Sequence, residues 1–142
     1  MALFGCRAPV LAAALWWILA PPLEARLGQI EAAFRGNDAG ALRAACLGSG
    51  RVRLEVTGVG AAQAGVGPGQ LEMLFRQAFA EQRSTAFAFD RPTLRLSPPA
   101  TAFARARWSK EGRDGAPVHD ILTFTLRDEG GDWRIEEIRS TR

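Results

Sequence analysis

Leu71-Glu72-Met73-Leu74-Phe75-Arg76-Gln77-Ala78-Phe79-Ala80-Glu81-Gln82-Arg83 is the stretch on which the fold of this chain turns. Its apolar residues Leu71, Leu74, Phe75, Ala78 and Phe79 recur at the three- and four-residue steps of one helix face, while Glu72, Arg76, Gln77, Glu81 and Arg83 take the other side. The pattern predicts an amphipathic helix over 71–83 that buries its stripe against something flat. Beyond Arg83 the chain reads as strand after strand. Thr85–Phe89, Thr93–Ser97, Thr101–Trp108, Val118–Arg127 and Trp133–Arg139 are separated by Arg91-Pro92, Ser97-Pro98-Pro99, a polar loop over 109–117 and the tight turn Asp128-Glu129-Gly130-Gly131.

Working back from the helix, Gly58–Gly69 is a glycine-rich loop, and Arg51–Thr57 alternates cleanly, with Val52, Leu54 and Val56 on one face. The Gly58-x-Gly60 start of that loop resembles a phosphate cradle. However, Gln63 stands where a dinucleotide fingerprint needs its last glycine, and no Gly-Lys-Ser/Thr is present. Earlier still, Leu27, Ile30 and Phe34 share a helix face. Gly36-Asn37-Asp38 interrupts, and Asn37 or Asp38 caps a second short helix carrying Leu42, Ala45 and Cys46. The chain is α+β, with N-terminal helices, one long amphipathic helix and a mostly antiparallel sheet.

The 142 residues, 47% hydrophobic and 23% charged, suit one globular domain. A net charge of +3 is too small to argue for a nucleic-acid partner, which is held by many phosphate contacts on one face. Arg7 and then the apolar run Ala8–Ala20, too short to span a bilayer, read as an export signal. Leu23-Glu24-Ala25 supplies the cut. The expected division is a signal peptide over 1–25 and one domain over 26–142, periplasmic or secreted and free of the membrane once cut; a retained anchor is the other reading. Cys46 is then the sole cysteine of the exported domain, a small buried hydrophobe that staples nothing.

The order of elements, and the closing segment Gly131-Asp132-Trp133-Arg134-Ile135 with Ile138, resemble the nuclear transport factor 2-like superfamily. The mature chain is similar to small exported bacterial members of unknown function. The resemblance implies a strongly curved sheet wrapped as a cone around the helices, often with a pocket inside. It implies no single activity, because the superfamily includes isomerases, hydrolases, binding proteins and accessory domains.

The chemistry is narrowed by what is missing. The sequence has no tyrosine, so the tyrosine oxyanion hole of steroid-isomerase-like relatives has no counterpart here. With His119 its one histidine and no cysteine pair, nothing calls for a metal or a cofactor. Strand phase puts Asp120 on the apolar face with Val118, Leu122, Phe124 and Leu126, and turns His119 to the opposite face. Asp120 is the weak candidate for a general base; Asp120, Leu122, Phe124 and Trp133 are candidates for lining a pocket for a small apolar ligand. Arg105 and Arg107 share a strand face that Arg95 joins if its strand pairs nearby, a surface for an anion or a protein partner, or simply a solvated sheet face. The leading expectation is a non-enzymatic exported binding domain using the cone pocket or the outer sheet face. The alternatives are a small-molecule hydrolase or isomerase with Asp120 as base, and an accessory domain that dimerises through its sheet.

Overall fold

The computed structural model describes residues 22–46, 50–60 and 63–141, apart from the side chains of Gln63 and Ala64. The apolar run Ala8–Ala20, expected to be an export signal, lies outside them. Helix α1 runs over 22–35, α2 over Ala39–Ala44 and α3 over Pro68–Glu81. The strands are β1 Val52–Glu55, β2 Gln63–Val66, β3 Gln82–Phe89, β4 Arg95–Ser97, β5 Thr101–Gly112, β6 Pro117–Glu129 and β7 Asp132–Thr141.

The seven strands form one sheet in the order β2-β1-β7-β6-β5-β3, with β4 pairing the start of β5. All pairings are antiparallel except β1 with β7, where Arg53, Leu54 and Glu55 lie beside Glu137, Ile138 and Arg139. The register shifts where one strand carries an extra residue: on β2 opposite Val52–Leu54, on β3 between Ser84 and Ala86, and on β7 between Ile135 and Glu137, opposite Thr125 and Leu126; such bulges sharpen the twist. The sheet curves into the cone expected from the resemblance and closes around α1 and α3.

Local chemistry explains the element ends. Asp38 caps α2, its Oδ1 accepting from Ala41 N at 3.0 Å. Asn37 ends α1 with φ +51, a left-handed conformation that Asn tolerates, and its Oδ1 accepts from Ser84 N at 2.8 Å, tying the helix pair to β3. Pro68 starts α3 where no N–H is needed.

Two expectations are corrected. The glycine-rich segment 58–69 is not all loop: Gln63–Val66 is β2, which pairs with β1, and Pro68 and Gly69 already belong to α3. The polar loop over 109–117 shrinks to the turn 113–116, because β5 and β6 run on as a hairpin. Within α3, Leu71, Phe75, Ala78 and Phe79 are buried as the stripe requires, whereas Leu74 is only half-buried, beneath Gly60.

Phe34 of α1 sits at the centre of the cone. Its ring stacks on Phe87 at 4.1 Å and meets Phe75, Phe79, Trp108 and Phe124 edge-on at 5.2–6.0 Å. Phe89 closes the group against Phe87 and Phe124. Aromatic side chains from α1, α3, β3, β5 and β6 therefore fill the space where relatives of this shape often keep a pocket.

Candidate functional site

The inner face of β5 carries Ala102, Ala104, Ala106 and Trp108, all buried, and the same phase brings up Lys110 two residues later. Lys110 is the sole lysine in a chain with 17 arginines, and only 3% of it is exposed. Its Nζ lies 2.9 Å from Asp120 Oδ2 and 4.0 Å from the centroid of the Trp108 ring. The register explains the meeting: Trp108 stands opposite Asp120 and Lys110 opposite Val118, so Lys110 reaches diagonally across to the carboxylate. Trp108 is fixed in turn, its Nε1 donating to Ser84 Oγ at 2.8 Å. Burying an ammonium is tolerable only with such compensation, here a carboxylate and the negative face of an indole.

Lys110 lines an open groove of about 680 Å³ beside the filled cone, between the C-terminal end of α3, the Gly58 turn and the β5–β6 hairpin. Gln82, Gly112, Arg113, Glu81 and Asp114 share the lining. Gly58 holds φ +84, a conformation that favours glycine, and a Cβ there would be in ordinary contact with Lys110 Nζ at 3.7 Å.

The residues singled out from the sequence separate into different places. Asp120 faces inward, its side chain 20% exposed and engaged by Lys110. Leu122 and Phe124 are fully buried in the packed interior. Trp133 is half-buried at the start of β7, its carbonyl accepting from Arg26 Nε at 2.7 Å. His119 lies on the outer face, 2.9 Å from Ser109 Oγ. Cys46 is buried with its Sγ donating to Leu42 O at 3.4 Å, and burial pushes its thiol up to about 12, well away from thiolate chemistry. Among the described residues no three His, Cys, Asp or Glu side chains cluster as a metal site.

On the outer face, β4 does pair beside β5, and Arg95 stands opposite Phe103. Arg105 lies opposite Thr123 and Arg107 opposite Ile121. Phe103 and Ile121 are 41% and 40% exposed. Elsewhere on this face charges neutralise one another: Arg53 with Glu137 at 3.5 Å, Arg139 with Glu55 at 4.0 Å, and Arg127 with Glu136. Among the described residues Arg95, Arg105 and Arg107 make no ion pair.

Lys110 is the residue that sequence reasoning missed. The signal was present: one lysine among arginines, in phase with Trp108.

The helices-then-meander order, with the first strand closing on the last around a helical filling, decides the architecture. The fold is nuclear transport factor 2-like. Solved structures share it at low identity. A ketosteroid isomerase-like protein from Erwinia carotovora atroseptica superposes with a TM-score of 0.65 at 20% identity, covering 86% of this chain and 93% of that one. A DUF4783 family protein from Bacteroides uniformis gives 0.65 at 11%, over 81% and 94%. A protein of unknown function with this fold from Shewanella oneidensis gives 0.63 at 12%, over 85% and 97%. No protein-family model and no curated protein matches the sequence. At these identities the nuclear transport factor 2-like likeness is one of fold, and the chemistry has to come from the site itself.

Proposed function

We propose that this chain is an exported, non-enzymatic binding domain whose working surface is the outer face of β4, β5 and β6, and that its partner is an acidic protein segment with apolar side chains. The observation that carries this reading is the arginine patch: Arg95, Arg105 and Arg107, uncompensated among the described residues, around exposed Phe103 and Ile121. Arginines and exposed aromatic residues are the groups that interfaces concentrate, and an uncompensated positive patch steers an acidic partner toward it. The filled cone favours a surface over an internal pocket. The ion pair of Asp120 with Lys110 gives that carboxylate a task other than proton abstraction. Pairing two copies through this same patch would bring two uncompensated positive faces together, which favours a different partner over a homodimer.

The test uses a synthetic peptide alternating Glu and Leu, titrated into the exported chain and monitored by arginine side-chain NMR. Binding is expected to perturb the Arg105 and Arg107 signals, to weaken with added salt, and to vanish in an Arg105→Glu/Arg107→Glu variant that still folds. Unchanged binding by that variant would refute the proposal. So would sedimentation as a dimer that the same substitutions dissociate, which would make this face a self-association surface.

A further inference from the structure

We propose that the groove beside Lys110 is a binding site for a small carboxylate, held by the Lys110 ammonium with help from Gln82 and Arg113. It is separate from the outer face, since Lys110 and Asp120 occupy the inner side of the same strands.

The first argument is the choice of cation. Every other basic side chain of the Lys/Arg type in this sequence is arginine, yet the one buried at the edge of the groove is lysine. The guanidinium is planar and forked, whereas an ammonium is compact, with three donors that can be shared between partners at different angles. Among the described residues Asp120 is the ion-pair partner of Nζ, which leaves donor capacity beyond that one carboxylate oxygen.

The second argument is energetic. A buried ion pair is a weak source of stability, because desolvation offsets most of the attraction; well-packed apolar side chains serve a core at least as well. The neighbouring inner positions of β5 are alanine and tryptophan, so an apolar solution was at hand. Keeping Lys110 and Asp120 there, with Trp108 set under the ammonium and Ser84 fixing Trp108, holds a positive charge in a defined place at the wall of an open groove.

The third is the shape of the wall. Gly58, beside the Lys110 head, and Gly112, beside Asp114 and Gln82, line the groove together with half-buried Gln82 and exposed Arg113. Gly58 is held at φ +84, and the space before it is faced by Lys110 Nζ and by the amide oxygen of Gln82, whose amide nitrogen lies on the Gly112 side. The Lys110 ammonium and the Arg113 guanidinium, with the Gln82 amide turned so that its nitrogen points toward them, give donors that fit a compact, planar anion with two acceptor oxygens. Asp120 is already paired; Asp114, which also lines the groove, accepts from Ala116 N at 3.1 Å and keeps its negative charge, which limits the site to a small anion. Glu81 at the rim discourages larger polyanions.

A single lysine makes the test direct. The exported chain, labelled with ¹³C and ¹⁵N only at lysine, gives one side-chain ε-methylene signal. It is titrated with sodium acetate and sodium succinate, against sodium chloride at matched ionic strength. The expected result is a saturable shift with the carboxylates that chloride does not reproduce. Gln82→Ala and Arg113→Ala, each removing a donor outside the packed core, are expected to weaken the fitted affinity about tenfold. Absence of a shift, a shift equal to that in chloride, or unchanged affinity in both variants would overturn the proposal. None of these results depends on Arg105 or Arg107, so the outer-face reading stands or falls separately.

Discussion

Replacing Phe34 by alanine is the sharpest test of how this cone is held together. Phe34 is fully buried, and truncating a core phenylalanine costs about 3–5 kcal/mol. Phe89 is nearly as buried, so it carries almost the same transfer penalty and makes a matched control. The two differ in their aromatic surroundings. Both meet Phe87 and Phe124, but only Phe34 also meets Phe75, Phe79 and Trp108. At about 0.5 kcal/mol for each such pair beyond burial, those three rings make Phe34→Ala about 1.5 kcal/mol worse than Phe89→Ala. Phe34→Ala should then lie near ~5 kcal/mol, a large share of the ~5–15 kcal/mol that holds a domain of this size folded. Urea unfolding monitored by tryptophan fluorescence measures both, provided the slopes agree. A cavity lined by phenylalanine and tryptophan should also accept benzene, so benzene should raise the unfolding midpoint of Phe34→Ala and leave the parent unchanged. Equal costs for the two variants, or no rescue by benzene, would refute the view that Phe34 is the hub of a filled interior.

On the proposed export, N-terminal sequencing of the processed protein is expected to begin near Arg26. Such a chain should be about 2 kcal/mol less stable than one retaining Pro22–Ala25, because Leu23 is buried, while the exposed Glu24–Arg91 bridge at 2.8 Å adds little; equal unfolding midpoints would contradict this. Glu31 should account for part of the acid sensitivity. Burial pushes its carboxyl up, but hydrogen bonds from Arg91 and Phe89 N, with the charges of Arg91 and Arg35, outweigh that and hold it below the ordinary 4.5. Its contribution is therefore complete above about pH 4.5 and lost as the pH falls through the lowered folded value. Glu31→Gln should flatten the stability–pH curve below that pH and leave its shape at neutral pH unchanged; an unaltered acid limb would show that Glu31 does not contribute.

Strong periodicity was readable wherever one face of an element meets the core. The α3 stripe and the alternation through Val118–Leu126 put Leu71, Phe75 and Phe79 inside, Asp120 inward and His119 outward, because burial on one side leaves its period in the residues. β2 was not readable, since Gln63-Ala64-Gly65-Val66 has little strand preference of its own and is recruited by β1 beside it. Lys110 fell within a segment whose polarity resembles a loop; only the register with β6, which brings Asp120 within reach, makes a buried lysine there sensible. Nor does any local pattern say that the cone is full. That depends on rings from α1, α3, β3, β5 and β6 arriving at one point.

The parallel pairing of β1 with β7 carries a consequence for the order of events during folding. Arg53 lies beside Glu137, and Cys46 bridges to Ile135, so the sheet joins an early strand to the last one. Such distant contacts are entropically slow to make. As the chain is made from its N-terminus, β1 and β2 emerge as a short hairpin with one edge unsatisfied, and two strands alone are marginal in water. The β5–β6–β7 meander, built from neighbours in sequence, can assemble as soon as its turns are free and then offers the β7 edge on which β1 docks. Until that docking, β1 presents Val52 and Leu54 and an open strand edge to whatever is nearby. A chain cut short before Asp132 would leave that edge permanently without its partner, and self-association through β1 is the fate to expect of it.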